Sequence, residues 1–557
     1  MIAERLAVLV REAVARADLG LDAQAIPEPE ILSPKQKEHG DFATNIALAL
    51  AGRVGRPPRE VAQAVLAELP VGEGPIERAE VAGPGFINLF VRDDWLHDAL
   101  RAAVDPDADN GRVTPLGRRV QVEFVSANPT GPLTLGHARN AAIGDALARI
   151  LSFTGWDVER EYYFNDAGGQ MDRFGASVEA RYLQAIGREA EVPEDGYHGA
   201  YIADIGADIL ASEGPSLADL PPSERLARLR EEGARRVLAW IRSSLDRFGV
   251  TFDVYFSEHD LQERGEIAAA VERLRERGYL DEAEGALWFR ATEFGDDKDR
   301  VLIRSNGEHT YFAADCAYIV DKFGRGFDRL LYVLGADHHG TVARLKGAAT
   351  AMGFDADAME ILLYQWVAFL RDGEPVPMST RAGTFITLDD VIDEVGVDAA
   401  RYTLLLFSND STMNFDIEAV KRQSMDNPVY YVQYAHARIA SILRRAERAD
   451  VSRRPVAEAD LSLLKHEAEI DLLRAIAELP GQIAMAAELR APHRIAHAAH
   501  ELAANVHRFY TECRVVSDDA DLTQARLWLS EGARRSIATL LSLLGVSAPE
   551  SMERVDA

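Results

Sequence analysis

The chain has 557 residues, 47% of them hydrophobic, and a formal net charge of −29. This length predicts about three or four domains, and no apolar run is long enough to cross a bilayer, which excludes a membrane-spanning protein. The acidity argues against a nucleic-acid partner, because phosphate contacts supply most of the affinity for nucleic acid. A local basic groove can nevertheless coexist with an acidic exterior. The two cysteines, Cys316 and Cys513, have no cysteine neighbours in sequence. A disulfide framework or zinc cluster is therefore not expected, and a reducing cytoplasm is the predicted location.

Residues 1–105 predict a small α+β domain. The first twenty residues place acidic side chains among spaced apolar ones, which is typical of an amphipathic helix rather than a signal peptide. Asn45–Gly52 has the period of a second helix, and the run Phe86–Val91 predicts a strand. The segment Asp105–Asn110 is typical of a linker and separates this domain from the next.

Residues 118–164 predict a βαβ unit of Rossmann type. A β-rich run at 119–125 precedes apolar residues at helical spacing in Gly136–Ile150, and Val158–Phe164 predicts the next strand. The pair Gly136-His137 falls at the start of the helix, where free backbone N–H groups and the positive end of the helix dipole favour phosphate. A nucleotide site is therefore predicted there.

The core predicted around this unit spans residues 106–400. A charged, mostly helical insertion is expected from about 170 to 285, and Ser305-Asn306-Gly307 is a strong tight-turn signal. Arg329–Gly335 is a continuous apolar run, as expected for a strand buried on both faces of a parallel sheet. Residues 401–557 are almost wholly helical in period, which predicts a separate helical bundle.

Six segments, in this order along the chain, resemble those of arginyl-tRNA synthetases, a family of class I aminoacyl-tRNA synthetases. They are His39–Asn45, Gly83–Asn88, Val122–Asn140, Asn165–Gly168, Gly335–Gly340 and Asn427–Arg438. The third contains the place of the class signature His-x-Gly-His, where this chain has Thr134 in the first histidine's position and keeps His137. The resemblance implies an α/β fold of three parts. These are a class I Rossmann-type parallel-sheet catalytic core, a small N-terminal α+β domain that binds the tRNA elbow, and an all-α C-terminal bundle that binds the anticodon.

The resemblance also implies a reaction. Arginine and ATP would give arginyl-adenylate and pyrophosphate, and the arginyl group would then pass to tRNA(Arg). The substrate's own carboxylate attacks the α-phosphorus, so the enzyme needs no nucleophile and must instead align the reactants and stabilise charge on the phosphates. By resemblance, arginine activation is expected to require tRNA. The expected partners are L-arginine, ATP with Mg²⁺ and tRNA(Arg), for a monomer with no membrane partner and no protein-ligated metal.

The resemblance assigns the nucleotide site to two segments. The residues implied for ATP binding are Pro132, Gly136, His137, Met378, Ser379 and Arg381, with Thr134, Gly136, His137 and Arg381 in the catalytic role. The loop 377–381 occupies the place of the class signature Lys-Met-Ser-Lys, but both lysines are missing. Arg381 is the predicted cation for the β- and γ-phosphates, and Arg371 is the alternative.

A guanidinium substrate favours carboxylates in bidentate geometry. Glu123 ends the first strand of the core, at the edge where doubly wound sheets bind ligands. Tyr311, Asp315 and Tyr318 share one face of a predicted helix whose opposite, apolar face should pack on the sheet. By resemblance, the arginine-binding residues are Glu123, Ser126, Asn128, Tyr311, Asp315 and His339.

The neighbouring His338 and His339 do not predict a metal site. Adjacent residues of a strand point to opposite faces, and no carboxylate or thiol set accompanies the two at ligand spacing.

An aromatic stripe opens the C-terminal bundle. Tyr431, Tyr434 and Arg438 lie at i, i+3 and i+7, a pattern that on its own is more typical of a core than of an RNA site. By resemblance these three and Met552 reach the anticodon loop. Phe86 and Asn88 are the implied contacts to the tRNA elbow, which gives the full tRNA-binding set of Phe86, Asn88, Tyr431, Tyr434, Arg438 and Met552.

Two alternatives stay open at this point. Another class I synthetase would share the fold, although Glu123 and Asp315 favour a cationic amino acid. A tRNA-binding protein that has lost catalysis is the alternative of a different class, motivated by Thr134 and by the missing lysines of the 377–381 loop.

Overall fold

The structure is a computed structural model that describes residues 2–32, 34, 36–106, 111–166, 168–376, 386–449 and 451–552. The chain forms two compact units. The first consists of Met1–Gly111, Ile439–Gly481 and Ala504–Ser536, and the second of Arg112–Arg438, Gln482–Ala503 and Ile537–Ala557. Within the described ranges, we find no helix with the length and apolarity that a membrane crossing requires.

The described elements are numbered in chain order. The helices are α1 Ile2–Arg16, α2 Ile46–Val54, α3 Pro58–Glu68, α4 Asp94–Val104, α5 Leu135–Phe153, α6 Gly169–Ala185, α7 Ala200–Glu213, α8 Pro222–Arg247, α9 Glu258–Glu263, α10 Glu266–Glu276, α11 Tyr311–Gly324, α12 His339–Ala351, α13 Leu388–Val395, α14 Val397–Leu404, α15 Ile417–Lys421, α16 Pro428–Arg448, α17 Glu467–Glu488, α18 His493–Glu512 and α19 Ala520–Leu544. The strands are β1 Ile31–Leu32, β2 Phe42–Thr44, β3 Ile76–Ala82, β4 Phe86–Val91, β5 Arg119–Glu123, β6 Asp157–Phe164, β7 Val254–Ser257, β8 Leu280–Ala283, β9 Ala286–Phe289, β10 Arg300–Ile303, β11 Arg329–Gly335, β12 Met359–Tyr364, β13 Val367–Arg371, β14 Glu374–Pro375 and β15 Met413–Asp416.

The first unit contains an antiparallel sheet of order β1-β2-β4-β3. Leu6 and Val10 of α1, Ile46 of α2 and Val61 of α3 join Ile87 of β4 in one buried cluster. The predicted N-terminal helix, the helix near residue 45 and the strand at 86–91 are thereby confirmed. The apolar period of each helix is buried on one side, which is how an α+β layer forms its core.

The second unit contains a parallel sheet of order β12-β11-β5-β6-β7. Val122 of β5 lies opposite Leu331 of β11 and Arg160 of β6, and α5 connects β5 to β6. The predicted βαβ unit is confirmed, and so is the strand at Arg329–Gly335, which has a parallel neighbour on each side. Strand β7, within the stretch expected as an insertion, is one of the two edge strands of this sheet.

Helix α5 is buried on nearly its whole circumference, as its low amphipathicity requires. A Cβ added at Gly144 would overlap the ring of Phe124, so only glycine lets this helix lie so close to the chain that leaves β5. This close packing fixes the start of α5, and with it His137, against the parallel sheet.

A buried ion pair holds the middle of α5. Arg401 of α14 is fully buried and pairs with Asp145 of α5. Its remaining N–H groups donate to the carbonyl oxygens of Phe248 and Leu544, both at 3.0 Å. Desolvation lowers the pKa of Arg401, whereas its neighbouring arginines hold the pKa of Asp145 below the ordinary value.

The second unit also contains two smaller sheets and the helices of the insertion. Strands β8–β10 form an antiparallel sheet of order β10-β9-β8, and β14-β13-β15 form another. The predicted turn at Ser305–Gly307 follows β10, and Gly307 has the positive φ of +83° that favours glycine. Helices α6, α7 and α8 pack on one another.

The last four helices, α16 to α19, each contribute residues to both units. The helical character predicted for the C-terminal part is confirmed. The domain boundaries at 105 and 400 and the limits of the 170–285 insertion stay predictions.

Candidate active site

A cavity of about 1060 Å³ lies where the chain passes from β5 to α5. Four of the predicted residues line it together: Asn128, Pro132, Thr134 and His137. The opposite part of the lining comes from α6 and from the segment 194–201, which sequence reasoning did not assign to the site. Gly136 does not line the cavity, and its carbonyl oxygen accepts a hydrogen bond of 3.3 Å from the Tyr364 hydroxyl.

The position of Thr134 before α5 determines the tautomer of His137. The Thr134 backbone N–H donates to Nδ1 of His137 at 3.0 Å, and the Thr134 hydroxyl oxygen lies 3.1 Å from the same nitrogen. Because Nδ1 is an acceptor, the ring proton is on Nε2. The ring keeps some surface open to the cavity, but burial among protein atoms lowers its pKa to about 4. His137 is therefore a neutral hydrogen-bond donor at neutral pH.

Asn140, one turn further along α5, joins this helix to the chain that leaves β5 and to strand β11. Its side-chain oxygen accepts from the N–H of Val125 at 2.8 Å, and its amide nitrogen donates to the carbonyl of Val333 in β11 at 2.9 Å. The contact with Val333 spans 193 residues of sequence, so no local pattern indicated that Asn140 connects these elements.

The chain reverses sharply after β5. Val125 and Ser126 have positive φ values of 67° and 44°, which β-branched and other L-residues rarely adopt. The Ser126 hydroxyl donates to Glu123 at 3.1 Å and accepts from the backbone N–H of Tyr163 at 3.2 Å. These bonds hold the reversal and place two predicted arginine-binding residues in contact.

Asn128 follows the reversal and is bonded on both sides of its amide. Its oxygen accepts from the Asn165 backbone at 3.1 Å, and its nitrogen donates to Gln170 at 2.7 Å. Gln170 also lies within 3.4 Å of the Thr130 hydroxyl. Asn128 is thus held rigidly at the cavity wall.

Glu123 is buried and pairs with the fully buried Lys322 of α11. The ammonium nitrogen of Lys322 lies 4.3 Å and 3.8 Å from the ring centres of Tyr318 and Tyr332, within range of cation–π attraction. The negative charge of Glu123 is thus already balanced inside the protein. Sequence reasoning missed Lys322, because a lysine on a helix is ordinarily solvated.

A second buried carboxylate, Glu161 of β6, explains Tyr318. The Tyr318 hydroxyl donates to Glu161, and Arg325 donates to it through two nitrogens at 2.5 and 3.0 Å. The interaction with Arg325 holds the pKa of Glu161 below its ordinary value despite burial. The prediction that Tyr318 lies on an open face beside Asp315 is therefore wrong, since the phenol is buried against the sheet.

Asp315, in contrast, has no cation within ion-pair distance among the described residues. It forms no hydrogen bond or ion pair with any residue that the structure describes, and burial together with Glu258 and Glu123 raises its pKa to about 7. Glu258, the first residue of α9, accepts from the Tyr163 hydroxyl at 2.5 Å, and burial raises its pKa as well. Sequence reasoning missed Glu258, whose only signal was its place directly after an apolar stretch.

The two other residues predicted to bind arginine, Tyr311 and His339, each lie at the start of a helix. Tyr311 begins α11 and is 55% exposed, with its hydroxyl 3.0 Å from where a Cβ of Gly168 would stand. His339 begins α12 and is exposed. The strand placement assumed for His338 and His339 is wrong, because β11 ends at Gly335 and the two residues lie in helical turns.

Comparison with known proteins identifies the family. The model "Arginyl tRNA synthetase N terminal domain" matches residues 4–91, "tRNA synthetases class I (R), catalytic domain" matches 107–440, and "DALR anticodon binding domain" matches 432–552. An arginine–tRNA ligase of Desulforamulus reducens is 46% identical over 552 residues, which are 99% of this chain and 98% of the relative. One from Moorella thermoacetica is 48% identical over 551 residues, 98% of each chain. The chain belongs to the arginyl-tRNA synthetase family.

A solved structure of this family, the Thermus thermophilus arginyl-tRNA synthetase, has a TM-score of 0.77 and covers 99% of this chain and 100% of that one. At 24% identity this likeness concerns the fold, a parallel-sheet core with a small N-terminal domain and a helical C-terminal domain. As a family member the chain is a class I ligase whose reactants are arginine, ATP and tRNA(Arg). The alternative of a class I synthetase for another amino acid is thereby excluded.

The second signature segment of the family, residues 377–381, lies outside the described residues. Met378, Ser379 and Arg381 are not among them. Arg371, the alternative cation, donates to Glu394 at 2.6 Å and to Glu418 at 3.0 Å. Its guanidinium is therefore occupied by carboxylates.

Downstream of that segment, the chain returns to the first signature. The backbone N–H of Leu388 donates to the carbonyl of Leu133 at 2.8 Å, and Thr387 forms a β-bridge with Thr134. The residues that follow the second signature segment are thus held beside the start of α5.

The residues assigned to tRNA lie in two regions. In α16, Tyr431 packs on the ring of His500 at 4.7 Å, and the Arg438 guanidinium lies 4.6 Å above the Tyr434 ring. The tyrosines and Arg438 are partly exposed, as is Met552. In β4, Phe86 is partly exposed, whereas Asn88 is only 3% exposed.

Proposed function

We propose that this family member forms arginyl-adenylate at the connection between β5 and α5, with the nucleotide in the cavity, and then transfers the arginyl group to tRNA(Arg). The observation that carries the proposal is the carboxylate pair Asp315 and Glu258. Neither forms an ion pair with a described residue, and burial raises the pKa of both. Burial disfavours the ionised form of both carboxylates, so they are stable as a charged pair only when a cationic side chain binds between them.

The guanidinium of arginine supplies that cation. It is always protonated and presents five N–H donors, enough for Asp315 and Glu258 together. Lys322 already neutralises Glu123, so the net negative charge of the pocket is concentrated on the other two carboxylates. A neutral side chain of the same shape would leave both unpaired, which is the kind of mismatch that gives about 10⁴–10⁵ discrimination.

The nucleotide side of the reaction uses the start of α5. Nε2–H of His137 donates to a phosphate oxygen, and the N-terminal N–H groups of the helix add a positive dipole. The arginine carboxylate attacks the α-phosphorus, the bond to the β-phosphate breaks, and pyrophosphate leaves. We assign Mg²⁺ to the ATP phosphates, whose oxygens it prefers as ligands, and no protein ligand to it. Met378, Ser379 and Arg381 complete this side by family resemblance.

The remaining family properties are part of the same proposal. Tyr431, Tyr434, Arg438 and Met552 contact the anticodon loop, and Phe86 and Asn88 contact the tRNA elbow. Arginine activation requires bound tRNA(Arg). The protein acts as a monomer in the cytoplasm, where its substrates are made and its thiols stay reduced.

Arginine-dependent exchange of pyrophosphate into ATP, with and without tRNA(Arg), tests the proposal. Exchange is expected with tRNA and should be lost or need far more arginine in Glu258→Gln. Glu263→Gln is the matched control, because Glu263 lies on the same short helix, is 67% exposed and pairs with His259. If the unaltered protein binds tRNA(Arg) but shows no exchange under either condition, the adenylate mechanism is refuted in favour of a silent tRNA binder.

A further inference from the structure

One wall of the active-site cavity carries a cation that the sequence did not indicate. Arg173, on the second turn of α6, lines the cavity together with Thr134 and His137. Its Nη1 lies 3.7 Å from where a Cβ of Gly169 would stand, so the guanidinium folds back toward the N-terminal end of α6. Among the described lining residues, Arg173 is the only lysine or arginine.

The guanidinium of Arg173 is weakly engaged. It donates no hydrogen bond to any residue in the described ranges, and its closest carboxylate is Asp195, 3.8 Å from Nε. The two side chains are 47% and 74% exposed. Arg230, on the neighbouring helix α8, contrasts with it, because that guanidinium donates to Asp172 at 2.6 Å.

The nucleotide needs more positive charge than the first signature, at the start of α5, supplies. Thr134 brings none, and His137 with a pKa of about 4 is neutral. Glu194 and Asp195 also line the cavity and add negative charge. ATP carries most of its charge on the β- and γ-phosphates, and a planar guanidinium binds phosphate in bidentate geometry.

On these grounds, and resting on the proposed function, we propose that Arg173 binds the β- and γ-phosphates of ATP. In the structure Asp195 lies 3.8 Å from the guanidinium, and the phosphate oxygens replace that contact when ATP binds. During activation the new bond joins the arginine carboxylate to the α-phosphorus. The electron pair of the broken bond goes to pyrophosphate, so Arg173 stabilises the leaving group as its charge grows.

The test is steady-state pyrophosphate exchange with tRNA(Arg) present. In Arg173→Gln, KM for ATP and for pyrophosphate should each rise about tenfold, as expected for the loss of a charge-assisted phosphate contact, with KM for arginine unchanged. In Arg173→Lys the two KM values should lie between those of the unaltered protein and of Arg173→Gln, because an ammonium keeps the charge but cannot bind phosphate in bidentate geometry. Arg230→Gln removes the same charge from a residue outside the cavity lining and should leave both constants as they are.

Asp195→Asn gives the complementary result. With its competing carboxylate removed, the KM for ATP should stay the same or fall, and it should not rise. An Arg173→Gln enzyme with an unaltered KM for ATP would overturn the assignment, and so would equal shifts in Arg173→Gln and Arg230→Gln. If the unaltered protein has no exchange activity, the proposed function fails first. Binding of Mg²⁺-pyrophosphate by equilibrium dialysis then tests Arg173 alone, with a loss in Arg173→Gln as the expected result and no loss as the refuting one.

Discussion

Arginine affinity should depend on pH through Asp315. In the free enzyme its pKa is about 7, because burial and the nearby Glu258 and Glu123 disfavour the charged carboxylate more than Arg344 favours it. Bound guanidinium requires the charged form. Below pH 7 arginine must therefore displace a proton, and affinity rises with pH until the carboxylate is ionised in the free enzyme.

The size of the effect follows from that pKa. Asp315 would be about 9% ionised at pH 6 and about 91% at pH 8, so arginine should bind about tenfold more weakly at pH 6, or about 1.4 kcal/mol. His137 does not contribute, since its pKa of about 4 leaves it neutral throughout. The raised pKa of Glu258 acts in the same direction.

The sign for stability is the opposite of the usual one for a carboxyl group. A folded-state pKa above the ordinary 3.8 means that the arginine-free protein loses stability as pH rises from about 4 through 7. Arginine removes this penalty by pairing with the carboxylate. The increase in thermal unfolding midpoint on adding saturating arginine should consequently be larger at pH 8 than at pH 6.

Isothermal titration calorimetry of arginine binding at pH 6, 7 and 8 measures the effect directly. Proton release, obtained from buffers of different ionisation enthalpy, should be close to one at pH 6 and small at pH 8. Asp315→Asn should bind weakly at every pH and lose most of the slope, whereas Glu263→Gln should keep it. A dissociation constant that does not change between pH 6 and 8, or an Asp315→Asn variant with the original slope, would refute the reasoning.

Two further substitutions probe the packing beneath the site. Lys322→Met should lower the free energy of unfolding by about 3–5 kcal/mol, because Glu123 would keep a buried charge without its partner. A lower thermal midpoint at pH 8 would show this, the added Glu123→Gln should restore most of it, and no change in the single variant would contradict it. Gly144→Ala should cost about 1–3 kcal/mol through overpacking against Phe124 and should raise KM for ATP, because α5 positions His137. Phe124→Leu in the same chain should recover part of both effects, and wild-type values in the single variant would disprove the close packing.

Local patterns in the sequence were sufficient for the framework of the site. The change of apolar period from two to 3.6 after residue 125 predicts β5, α5 and the place of His137 between them. The residue types of Glu123 and Asp315 predict a cationic ligand. The inference about the two elements is confirmed because it depends on neighbours within one or two turns of the chain, and the one about the ligand stays a prediction.

The parts that the sequence did not predict depend on distant contacts. Lys322 meets Glu123 across 199 residues, and Asn140 meets Val333 across 193. The period of a helix indicates which face is buried, but it does not show which polar side chain has a partner on another element. The period of α11 therefore predicts an open position for Tyr318, whose hydroxyl in fact donates to Glu161 of β6. The cavity wall at Arg173 belongs to an insertion whose own period shows only that it is helical.

The reversal at Val125 and Ser126 fixes the spacing of two residues that are both predicted to bind arginine. Glu123, at the end of β5, and Asn128, in the cavity lining, are joined by five peptide units of about 3.8 Å each, bent back by two left-handed residues. The distance between them is thus set by covalent geometry within a single strand-to-helix connection. A shift of α9 or α11, which carry Glu258 and Asp315, would change the guanidinium end of the predicted arginine site and leave this spacing as it is.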